Sequence, residues 1–204
     1  MFECLILKKL ESTKFKIKQM KIHILSSTDR PGSNALKVAN YVSGLMDKEI
    51  ENEVFSLEDF PFNDVVGGRY GDDIESVDEY NERFLDADGI LFIVPEYNGG
   101  FPGVLKLFID YLPFPEALEK MPVSIIGEAA GSFGALRPIE HLQGILGYRN
   151  ALLYPERIYI KDVNNTFDEE DGLNSDKLQQ LLEKKIEGFA DFVKLHIQKE
   201  LVDL

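Results

Sequence analysis

The chain has 204 residues, 44% apolar and 28% charged, with no tryptophan and one cysteine, Cys4; this suits a single domain with a sizeable core and excludes a disordered or disulfide-stapled chain. No apolar run approaches the roughly 20 residues that a membrane span requires, so no membrane insertion is expected. With 22 basic and 36 acidic side chains the net charge is −14, which argues against nucleic acid or anionic lipid as a partner and requires any anionic ligand to be held locally.

Five lysines and two glutamates fall within the first nineteen residues, so the rest of the chain is more acidic still. Residues 1–19 read as an N-terminal extension that packs little, and 20–204 as one domain. The lysines of the extension follow its apolar stretch instead of preceding it, unlike a signal peptide, and with one cysteine a reducing, cytoplasmic setting is expected.

From Met20 onward, strand and helix patterns alternate. Residues 21–25 predict a strand, and 34–46 a helix with Leu36, Ala39, Val42 and Met46 on its buried face. A weak strand over 54–57 and a loop over 58–72, broken by Pro61, Gly67 and Gly68, precede a helix over 74–86. The run 89–94 is apolar throughout, as expected of a central parallel strand covered on both faces. Helix over 103–112, strand over 123–127, helix over 136–146 and a last strand region over 150–154 with 157–160 follow. An Asn174 or Ser175 cap opens a closing helix over 175–200, with Leu178, Leu181, Leu182, Ile186, Phe189, Phe192 and Val193 as its buried stripe. Strands separated by helices imply a doubly wound parallel sheet, because parallel pairs need crossovers and right-handed crossovers place helices on both faces. Ligands in such sheets bind beyond the carboxyl ends of the strands where strand order reverses, which singles out the loops 26–33, 95–102 and 128–135.

The first loop, Ser26-Ser27-Thr28-Asp29-Arg30-Pro31-Gly32-Ser33-Asn34, runs straight into a helix. Hydroxyls, an arginine and a glycine sit where free amides and the helix dipole favour an anion. Neither the Walker A nor the Gly-x-Gly-x-x-Gly spacing is present, so a single terminal phosphate suits the loop better than a triphosphate or a pyrophosphate. The blander alternative is that Ser33 or Asn34 only caps the helix while Arg30 is a solvated charge. In the second loop, Pro95-Glu96-Tyr97-Asn98-Gly99-Gly100-Phe101-Pro102, two glycines and two prolines make a shaped turn whose amides can face a flat ligand.

Here the residues resemble the NADPH-dependent FMN reductases of flavodoxin-like fold, which include quinone, azo-dye and chromate reductases. The resemblance covers about residues 20–160. Ser27-Thr28 with Arg30-Pro31-Gly32-Ser33-Asn34 is similar to the family's phosphate loop. Pro95-Glu96-Tyr97-Asn98 with Pro102-Gly103-Val104-Leu105-Lys106 and Ile109-Asp110 is similar to its flavin-ring loop and following helix, and the stretch from Gly131 to Arg137, with His141-Leu142 and Ile145-Leu146-Gly147, to a third segment. The resemblance implies a three-layer sandwich around a five-stranded parallel sheet of order 2-1-3-4-5. It assigns Ser27, Arg30, Ser33 and Asn34 to the phosphate of FMN, Pro95, Glu96, Tyr97, Asn98 and Gly99 to the ring edge, and Glu128, Ala129, Ala130 and Gly131 to the ring border. The implied activity is hydride transfer from NADPH or NADH to FMN and then electron transfer to a quinone, azo or similar small-molecule acceptor. No side-chain nucleophile is required; backbone amides of 96–100 and 129–131 would donate toward the ring where reduction builds negative charge. A homodimer or homotetramer is also implied, with the segment 111–115 as a candidate contact. The alternative is a flavodoxin-like electron carrier that binds FMN and docks to protein partners, which strong acidity would suit.

Other features weigh less. His23, His141 and His196 are scattered over separate elements and complete no metal motif. The acidic stretch 168–172 fails the spacing of a calcium loop and reads as solvated. Tyr80, Phe84, Phe108, Tyr111, Phe114 and Tyr148 suit a core or a subunit contact, with the core the default for most of them.

Overall fold

The computed structural model describes residues 19–202; the proposed extension before Gln19 therefore lies outside the described residues. Strand β1 (Lys21–Ser26) leads through the first loop into α1 (Asn34–Leu45), and β2 (Glu51–Ser56) returns alongside it. The loop that follows contains a short helix, α2 (Phe62–Val65), before α3 (Glu75–Leu85), β3 (Gly89–Pro95), α4 (Gly103–Tyr111), β4 (Pro122–Ala129) and α5 (Leu136–Tyr148). Two short strands, β5 (Leu152–Leu153) and β6 (Ile158–Lys161), are followed by α6 (Val163–Thr166), a small hairpin of β7 (Phe167–Asp168) and β8 (Gly172–Leu173), and the long helix α7 (Asp176–Val202).

All pairings in the main sheet are parallel, in the order β2-β1-β3-β4-β5, with β6 also on β4. The predicted order 2-1-3-4-5 holds, but its fifth strand is in two pieces. Leu152 and Leu153 pair with the start of β4, while residues 158–161 pair with positions 126–129 at its end.

Alternation along the strands divides the core into two layers. Ile22, Ile24, Leu91, Ile93 and Ile126 face Ala35, Val38 and Val42 of α1 and Leu182, Ile186, Phe189 and Val193 of α7. Leu25, Phe92, Val94, Val123 and Ile125 face Tyr80 and Phe84 of α3, Phe108 of α4, and Ile139 and Leu142 of α5. Because both faces are covered, β3 and β4 are buried along their whole length.

Several details depart from expectation. The face of α1 against the sheet is formed by Ala35, Val38, Ala39 and Val42, with Leu36 only half-buried. Leu181 is 46% exposed because the stripe of α7 turns past it. Of the two places open to them, core or subunit contact, Phe114 and Tyr148 are not in the core: they stand 63% and 75% exposed and stack on each other, with ring centroids 6.4 Å apart. Helix α7 is capped by Ser175, whose Oγ accepts from the amide of Leu178.

Candidate functional site

The three singled-out loops converge at the carboxyl ends of β1, β3 and β4. They enclose a cavity of about 440 Å³, within the usual range for small-ligand sites, walled by Arg30, Pro31, Gly32, Ser33, Asn34, Pro95, Glu96, Tyr97, Glu128, Ala129, Ala130 and Asn164. A larger groove of about 540 Å³ runs between α4 and α5, past Lys106, Phe114, His141, Tyr148 and Arg149. That groove lies away from the strand ends and from the predicted loops, so the smaller cavity is the candidate site.

The first wall is a helix start. Ser33 is the N-cap of α1, in extended backbone, and its Oγ accepts from the amide of Leu36 at 3.1 Å. Ser33 is thus the cap of the blander reading, and with Asn34 it also lines the cavity at the helix start, where an anion is favoured. Arg30 lines the same cavity and is exposed, while Asp29 is exposed and is not on the wall. Asn34 donates from Nδ2 to Oδ1 of Asn164 at 2.8 Å, which pulls α6 into the site.

The second wall follows β3. Residues 97–100 close on themselves, the amide of Tyr97 donating to the Gly100 carbonyl at 2.8 Å and the amide of Gly100 to the Tyr97 carbonyl at 3.0 Å. Asn98 and Gly99 have φ of 53° and 77°, the two positive values of a type I′ turn, which is why an Asn-Gly pair stands there. Tyr97 Oη and Thr28 Oγ1 share a hydrogen bond of 3.0 Å that ties the two loops together. The amide of Glu96 donates to the Glu128 carbonyl at 3.2 Å, and its carboxylate lies 3.6 Å from Arg137 of α5. Of the amides expected to face a ring edge, that of Glu96 is therefore spent on β4, and those of Tyr97 and Gly100 inside the turn.

The third wall is strand, not loop, at its start. Glu128 and Ala129 belong to β4, in register with Ile160 and Lys161 of β6. Glu128 is 5% exposed, and burial pushes its carboxyl up to about 7.

Nine of the predicted positions are thereby brought onto one cavity: Arg30, Ser33, Asn34, Pro95, Glu96, Tyr97, Glu128, Ala129 and Ala130. Ser27 is not on the wall; it is fully buried, its hydroxyl turned toward the Leu25 carbonyl. Asn98, Gly99 and Gly131 also lie off the wall, the first two shaping the turn beneath Tyr97. Asn164 escaped the sequence reading because α6 is a four-residue helix with no periodic signal.

Comparison with known proteins bears on what such a cavity holds. The family model for NADPH-dependent FMN reductase matches residues 20–165. The chain belongs to the NADPH-dependent FMN reductase family. A 2-hydroxy-1,4-benzoquinone reductase from Burkholderia sp. is 30% identical, over 78% of this chain and 97% of that one. An NAD(P)H-dependent FMN reductase from Pseudomonas aeruginosa is 28% identical over 86% of this chain and 96% of its own length. In fold, the chain is similar to FerB, an NAD(P)H:(acceptor) oxidoreductase from Paracoccus denitrificans, with a TM-score of 0.71 and 23% identity over 87% of this chain and 98% of that one. For an FMN reductase the donor set is suitable. A helix start with Ser33 and Arg30 fits a phosphate, and a wall of Pro95, Ala129 and Ala130 beside polar backbone fits a flat ring.

Proposed function

We propose that this protein is an FMN-dependent NAD(P)H oxidoreductase that passes electrons from a nicotinamide to quinone, azo or similar soluble acceptors, with FMN held in the cavity at the ends of β1, β3 and β4. The observation that carries this reading is the convergence of the α1 start, the Tyr97–Gly100 turn and the end of β4 on one cavity, in a member of the NADPH-dependent FMN reductase family. The benzoquinone reductase among its relatives supports the acceptor class.

FMN, when bound, supplies a ring that accepts hydride and gives up electrons singly or in pairs. The protein's part is positional and electrostatic. Arg30, Ser33 and the first amides of α1 balance the phosphate charge, while Pro95, Ala129 and Ala130 on the opposite walls offer a surface for the ring. Tyr97, fixed by Thr28, keeps the ring loop from sagging into the phosphate seat.

The exposed Phe114–Tyr148 stack beside the α4–α5 groove supports a homodimer or homotetramer formed across that face, and the composition supports a cytoplasmic setting. The test of the enzyme reading is steady-state oxidation of NADPH with menadione as acceptor. Parallel double-reciprocal lines are expected. A protein that binds FMN but leaves NADPH unoxidised would be the electron carrier instead.

A further inference from the structure

Glu128 is the odd member of the cavity wall. A carboxylate beside the seat of a phosphate or an electron-rich ring repels its ligand, and a buried one bears a desolvation cost unless it is paired. Yet among the described residues the Glu128 carboxyl takes part in no hydrogen bond or ion pair; only its backbone carbonyl is used, by the amide of Glu96. The residue is 5% exposed and lines the cavity at the end of β4.

The ionisable neighbours offer no compensation. On the β1 loop, Arg30 lines the cavity but its head is exposed to solvent. After β3, Tyr97 is bonded to Thr28, and the carboxylate of Glu96 is turned to Arg137 of α5. On the flanking strand, Lys161 and Asp162 follow Ile160, the register partner of Glu128, and both are exposed. Nothing therefore holds Glu128 ionised, and a protonated carboxyl in that position is a neutral hydrogen-bond donor on the cavity wall.

We propose that Glu128 binds the mononucleotide as a carboxylic acid, donating its O–H to an oxygen or ring nitrogen of the ligand, so that binding takes up a proton whenever Glu128 is ionised in the empty cavity. The proposal rests on the cofactor reading above and adds a specific donor to it. Its sign is fixed by linkage: the empty site ionises near neutrality, since burial places the carboxyl at about 7, and the occupied site has to be protonated. The contribution of Glu128 to affinity is flat below neutrality and falls above it, toward about ten-fold per pH unit.

The test is FMN binding to the apoprotein, followed by quenching of flavin fluorescence from about pH 5.5 to 8.5, for the wild type and Glu128→Gln. Glutamine keeps the shape and a donor but cannot ionise, and both proteins see the same titration of the FMN phosphate, so the ratio of the two affinities isolates Glu128. The ratio is expected to stay within a few-fold at acid pH and to reach about ten-fold or more in favour of Glu128→Gln at the alkaline end. Calorimetry of the wild type alone, in two buffers of different ionisation enthalpy, should show about one proton taken up per FMN at the alkaline end. Superimposable pH curves, or no proton uptake by the wild type, would overturn the role of Glu128 while leaving FMN binding intact. Failure of both proteins to bind FMN at every pH would instead overturn the cofactor reading, and the proposal with it.

Discussion

In the proposed phosphate seat, Arg30 and Ser33 have parts that mutation separates. The Arg30 side chain makes no hydrogen bond or ion pair among the described residues, so Arg30→Ala should weaken FMN binding by about ten-fold, the size of one charge-assisted hydrogen bond, and leave the urea midpoint and flavin-saturated turnover near wild type. Loss of turnover at saturating FMN to the same degree would show that Arg30 does something other than retain the cofactor. Ser33→Ala removes an N-cap and should cost about 1 kcal/mol of stability as well as affinity, both read from urea titrations with and without FMN. Away from the site, Lys185 of α7 is fully buried, its ammonium donating to Ser124 Oγ and the Glu156 carbonyl. Burial lowers it from 10.5 to about 7, so between those values the unfolded chain binds the extra proton and stability rises with pH. Glu128 acts oppositely in a lower window. Raised from 4.5 to about 7, it holds a proton in the folded chain that the unfolded chain releases, and stability falls as pH rises across that interval. Urea midpoints against pH should therefore be flatter for Lys185→Met above neutrality and flatter for Glu128→Gln below it.

At the scale of elements, the joint between β4 and α5 sets the third wall of the cavity. A Cβ on Gly127 would stand 2.7 Å from the Gly134 carbonyl and 2.7 Å from Ile139 Cδ1, so the turn before α5 sits directly on the strand that carries Glu128. Gly127→Ala should cost about 1–3 kcal/mol in urea denaturation through overpacking, and should weaken FMN binding because the neighbouring strand end is displaced; an unchanged midpoint would mean that the turn yields freely. Elements with a strong periodic signal were legible in the sequence: the apolar run of β3, the helices α3 to α5, and the closing helix. The break between β5 and β6 was legible as two segments, yet its cause was not. Lys185 occupies the gap from the far side of the sheet, donating to Glu156 between the two pieces, and a contact between residues 29 positions apart leaves no local trace. The hairpin of β7 and β8 was read as plain loop because two-residue strands have no period to detect.

For the molecule as a whole, the doubly wound topology brings loops that are 130 positions apart into one wall, as the bond between Asn34 and Asn164 shows. The loops proposed for the phosphate and the ring were legible because their signals are local: hydroxyls and arginine at a helix start, and an Asn-Gly turn after a buried strand. Asn164 and the inward burial of Ser27 were not legible, since both depend on how the chain closes around the sheet. The exposed Phe114–Tyr148 stack belongs to the same scale. Phe114→Ser with Tyr148→Ser should shift the sedimentation coefficient to that of a single chain if this face joins copies, and an unchanged value would place the contact elsewhere. The central claim, that FMN occupies the cavity at the ends of β1, β3 and β4, is tested most directly by filling that cavity. Ala130 is exposed on the wall, so Ala130→Trp can fold normally while its indole takes the ligand's space. In fluorescence titrations, wild type should bind one FMN per chain and Ala130→Trp, with an unchanged circular dichroism spectrum, should bind at least about a hundred-fold more weakly. Equal affinity in the two proteins would contradict the account.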